Sequence, residues 1–94
     1  MYYFKMLQAE VREFNRRVAD AGIINEKVNA FNDIFNLLQK KLEDDNTYAL
    51  ATFFIFNAKV ELSNLDLADI DAKMDKITEN IAMTGIITEY KGCL

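Results

Sequence analysis

The sequence predicts an all-α protein: a compact bundle of about four helices with a short C-terminal tail, one helical domain over residues 1–94. Three observations carry that expectation. Apolar residues recur at steps of three and four along most of the chain, the repeat that lines one face of a helix. There is no Pro, and the three Gly fall outside the periodic stretches, as punctuation. Only two segments have any strand character, too few for a sheet that stands alone.

The first helix is expected over residues 3–20. Phe4, Leu7, Val11, Phe14 and Val18 form its stripe, and Gly22 follows where a residue without Cβ can take the left-handed conformation that ends a helix.

The second is expected over residues 25–43. Asn25 is its N-cap, with Glu26 in the first turn, where a negative charge is favourable. Val28, Phe31, Phe35, Leu38 and Leu42 form the stripe, and Ile34 and Leu37 widen it beyond what one core need reach. Glu43, Asp44, Asp45 and Asn46 then read as a polar turn.

The third element is the ambiguous one. Residues 47–62 read TYALATFFIFNAKVEL, uncharged until Lys59. Phe56, Ala58, Val60 and Leu62 alternate with polar residues, so residues 52–62 as a strand in an α+β fold is the alternative. Tyr48, Ala49, Leu50 and Ala51, following the candidate cap Thr47, favour a helix over residues 47–61. That helix is apolar nearly all round, so it needs cover on more than one side. The run Phe53-Phe54-Ile55-Phe56 and the flanking Ile34, Leu37 and Tyr48 therefore predict a homodimer or larger assembly.

The fourth helix is expected over residues 64–84. Ser63 and Asp66 resemble a capping box at its start, Leu67, Ile70, Met74, Ile77 and Ile81 form its stripe, and Gly85 closes it. The tail IITEYKGCL reads as a short strand or a docked extension.

The composition removes much chemistry. There is no His, one Ser (Ser63) and one Cys (Cys93). Ser–His and Cys–His catalytic pairs are ruled out within one subunit, as are zinc sites built on His and Cys and di-iron sites built on Glu-x-x-His. No Gly-rich phosphate loop occurs, and Asp66, Asp69 and Asp71 lack the spacing and the turn Gly of a calcium loop. The expectation is a non-enzyme with no cofactor and no metal. A net charge of −4 disfavours nucleic acid and anionic lipid as partners. No apolar run approaches the roughly 20 residues a membrane span needs. A lone Cys without a disulfide framework suits a cytoplasmic chain.

What remains points to contacts between proteins. Asn25, Asn29, Asn32 and Asn36, continued by Gln39, step along one face of the second helix, where a solvated face more often carries Glu and Lys. Asp71, Asp75 and Glu79 form an acidic ridge on the fourth helix, and Arg12, Arg16 and Arg17 a basic one on the first. Residues 1–42 hold seven basic and five acidic groups, residues 43–94 four and ten, so the ridges are candidates to face each other or a partner. Asn57, inside the most apolar helix, is a candidate to fix register at a packed seam. The sequence therefore predicts a small inhibitor or adaptor, of the sort phages and mobile elements carry, that binds itself and an unidentified protein partner. Its expected protein-binding residues are Asp71, Asp75, Glu79, Asn25, Asn29, Asn32 and Asn36. The alternative is an oligomeric binder of a small anionic ligand such as a nucleotide, with Arg12, Arg16 and Arg17 on phosphate and Tyr2 and Tyr3 on a base.

Overall fold

A computed structural model describes residues 2–44 and 49–84. Within them the chain forms four α-helices: α1 (Tyr2–Asp20), α2 (Glu26–Asp44), α3 (Ala49–Ser63) and α4 (Ile70–Ala82), the last preceded by a 3-10 turn at Leu67–Asp69. The all-α bundle is the architecture the stripes call for, and residues 52–62 are helical throughout. Thr47, Tyr48, Gly85 and the tail lie outside the described residues.

The ends of α1 and α2 follow from local chemistry. At the close of α1, Gly22 takes φ of 68°. Its N–H donates to the carbonyl of Ala19, and the Ile23 N–H donates to that of Val18. This is the Schellman arrangement, and Ile23 packs back on the core as that motif requires. Asn25 then caps α2: its side-chain oxygen accepts from the N–H groups of Lys27 (2.8 Å) and Val28 (3.4 Å).

Between α3 and α4 the outcome differs from the sequence expectation. α3 runs to Ser63, and α4 begins at Ile70 rather than at residue 64. No Ser63–Asp66 capping box forms. The Ser63 hydroxyl donates to the carbonyl of Lys59 instead, and Asp66 caps the 3-10 turn by accepting from the N–H of Ala68. Asn64 likewise donates to the carbonyl of Val60. Ser, Asn and Asp compete with the helix for backbone groups, and three of them within four residues break it here. Leu65, buried in this turn, closes one end of the core.

α1 and α2 form one antiparallel hairpin, α3 and α4 the other. Arg17, near the end of α1, donates to the carbonyl of Leu65 just beyond the end of α3, so these two helices run the same way. Asn25 and Lys27, at the start of α2, meet Asp71 and Asp75 at the start of α4, so these two also run together. Backbones approach closely on three sides of the bundle, α1–α3, α3–α4 and α4–α2. The α1–α2 side is wider and is filled by side chains.

Residue size explains the two close sides that α3 makes. α3 buries Ala51 and Ala58 beside Ile55 and Leu62 on its core face, and small residues let neighbouring backbones come near. Across the α1–α2 side stand aromatic rings: Phe4 stacks on Phe35 (5.7 Å between centroids), and Phe14 meets Phe31 edge to face (6.3 Å). Outside that aromatic layer lies a ladder of amides. Gln8 donates to Gln39, and Asn15 and Asn32 exchange two hydrogen bonds. Ile34, expected to lie beyond the reach of one core, is only 3% exposed. It lies two turns beyond Lys27, on the flank of α2 where Lys27 meets Asp75 of α4.

Candidate interaction surface

The helical repeat gives α3 two opposite faces. Ala51, Ile55, Ala58 and Leu62, spaced four, three and four apart, are fully buried. Phe53, Asn57, Val60 and Asn64 show the same spacing roughly half a turn away, so they point out of the bundle. Phe53 is 61% exposed and Phe56, beside it on the α1 flank, 42%. Tyr3 of α1, 38% exposed, meets the Phe56 ring edge to face at 5.3 Å, and Phe53 meets Phe54 in the same way at 5.2 Å. One ring pair therefore joins α1 to α3, and a second lies along α3, with Phe53 and Phe56 one helical turn apart. Residues 49–58 of α3 carry no charge. In the middle of this face Asn57 is half-buried, and its amide makes no hydrogen bond among the described residues.

The residues marked by sequence lie elsewhere, and many bond within the chain. Asn25 caps α2 and donates to the Asp71 carboxylate (2.8 Å). Lys27 pairs with Asp75 (3.0 Å) and donates to the carbonyl of Asp71. Two members of the acidic ridge thus help tie α4 to α2, and Glu79 is exposed beyond them. Asn32 is engaged by Asn15, while Asn29 and Asn36 face solvent. Because α1 and α4 are diagonal in the bundle, the basic and acidic ridges do not meet.

The arginines do not converge. Arg12 and Arg17 are separated by roughly 140° around α1 at 3.6 residues per turn. Arg12 is exposed on the amide side. Arg16 is held by Glu13 and Asp20 on its own helix. Its hydrogen bonds to Glu13 keep that carboxyl below, and the guanidinium above, their ordinary pKa values. Arg17 turns to the opposite side, over the Phe14 ring at 6.0 Å and onto the Leu65 carbonyl. Tyr3 belongs to the aromatic face, and the side chain of Tyr2 lies outside what the structure describes.

A groove of about 290 Å³ runs between α3 and α4, lined by Val60, Glu61, Asn64, Lys73, Lys76 and Ile77. Its polar walls are largely engaged by the chain. Glu61 accepts from Asn80, Asn64 bonds its own helix, and Lys73 leans toward Asp69. Among the described residues, no buried side-chain nitrogen or oxygen lacks a partner, and no three His, Cys, Asp or Glu gather as a metal site would need. No described helix is long and apolar enough to cross a membrane. The chain matches no family model, no curated protein and no solved structure.

The sequence marks the run Phe53-Phe54-Ile55-Phe56 as needing cover, but not which of its rings stay outside the core. That depends on where α1 and α4 pack.

Proposed function

We propose that this chain is a non-enzymatic protein–protein interaction module that acts as a homodimer, with the outward face of α3 as its contact surface. The observation that supports it is Phe53, a large apolar side chain 61% exposed and continued by Phe56 and Tyr3. A contiguous apolar surface on a small chain marks a site of association. A second copy suits it as occupant, because two chains of net charge −4 can meet across an uncharged face without opposing like charges. The acidic edge at Asp75 and Glu79 stays outside such a dimer, which fits an inhibitor or adaptor that offers that edge to a basic partner. The nucleotide-binding alternative has less support, since its three arginines point to different neighbours.

Light scattering coupled to gel filtration tests this at tens of micromolar protein. The wild type is expected at twice the chain mass, and a Phe53→Ser/Phe56→Ser variant at the chain mass with unchanged helix content. A monomeric wild type, or a variant that stays dimeric, would refute it.

A further inference from the structure

We infer that the two copies pair through antiparallel α3 helices, with the twofold axis passing beside Asn57 so that the two Asn57 amides bond to each other. This geometry rests on the dimer proposed above.

Three features support it. Phe53, Asn57 and Val60 repeat at four and three residues along the outward face of α3, so one helix laid along that face meets all three. The Asn57 amide also has no partner among the described residues; Asn29 and Asn36 likewise have none but are exposed, whereas Asn57 is half-buried. An amide carries both donor and acceptor, so two identical copies satisfy each other across a twofold axis. Asn15 and Asn32 already make such an exchange within the chain, at 2.8 and 2.9 Å.

Volume decides the direction. Phe53 and Val60 flank Asn57 by four and three residues. In an antiparallel pair centred on Asn57, each Phe53 lies against the smaller Val60 of the other copy, so large fills beside small. In a parallel pair Phe53 meets Phe53 and Val60 meets Val60, which crowds one layer and empties the next. Antiparallel helices also set their dipoles head to tail.

Disulfide trapping separates this geometry from its premise. Asn57→Cys and Phe53→Cys are made separately in a Cys93→Ser background, oxidised, and run on non-reducing gels alongside light scattering. A disulfide requires Cα atoms roughly 4.4–6.8 Å apart. Cys at 57 is therefore expected to give the covalent dimer and Cys at 53, about 12 Å from its copy along the axis, to give none. A dimeric mass with linkage at 53, alone or together with 57, or with linkage at neither, overturns the antiparallel geometry and leaves the dimer standing. A monomeric mass overturns both.

Discussion

Asn15 on α1 and Asn32 on α2 donate to each other's side-chain oxygens, at 2.8 and 2.9 Å, across the widest side of the bundle. Asn32 also donates to the carbonyl of Val28, one turn back on its own helix. Phe14 and Phe31 meet beneath this pair and hold the helices apart, so the amides span a gap that backbones do not close. The pair sets the register of the first hairpin, and Gln8–Gln39 repeats it about two turns along.

Removing one partner should cost more than removing both. Asn15→Leu or Asn32→Leu alone leaves a half-buried amide short of its partner, an expected loss of about 1–2 kcal/mol. Asn15→Leu with Asn32→Leu replaces the pair by packed apolar groups and should be near neutral. Urea unfolding of the two singles and the double measures the coupling. Single-mutant losses that simply add would mean the two amides act independently.

Gly22→Ala should destabilise by about 1–2 kcal/mol, the cost of a left-handed backbone for a residue with a Cβ. No atom lies within 4 Å of where that Cβ would sit, so the penalty is conformational and not a clash. Gly22→Asn should recover part of the loss, since Asn tolerates this conformation better than Ala. Thermal unfolding of both variants reads the order.

Ala58→Leu should be the more damaging change on the other side of the bundle. Ala58 is fully buried where α3 packs closely against both α1 and α4. Added bulk there forces helices apart, at a cost of about 1–3 kcal/mol. The variant's midpoint in urea should fall, with its far-ultraviolet circular dichroism still helical.

The Glu13–Arg16 pair predicts a pH effect of defined sign. The Arg16 hydrogen bond lowers the Glu13 pKa in the folded state. A depressed carboxylate contributes stability that is present above its unfolded-state pKa and lost as the pH falls through the folded one. An NMR titration should place the Glu13 midpoint below the ordinary glutamate value, and Arg16→Gln should return it upward. Both groups are exposed, so the effect on unfolding at acid pH should be small.

The sequence alone specified the stripes of α1, α2 and, from Ile70 on, α4, together with the Gly22 stop and the Asn25 cap. Each depends on neighbours within one or two turns, and the core residues Phe4, Leu7, Val11, Phe14 and Val18 of α1 are buried as their spacing requires. The start of α4 was harder to read, because Ser63, Asn64 and Asp66 suit either a helix cap or a turn, and the burial of Leu65 chose the turn. Tertiary packing alone decided the use of the surface residues. Asn25 and Asn29 share one face of α2 in the sequence, yet α4 brings Asp71 to the first, while the second points to water. Phe53 and Ile55 are equally apolar and two residues apart, and only the positions of α1 and α4 put Ile55 in the core and Phe53 outside it. A repeat of 3.6 residues specifies that a helix has faces, but which face is left uncovered is a property of the neighbours that pack against it.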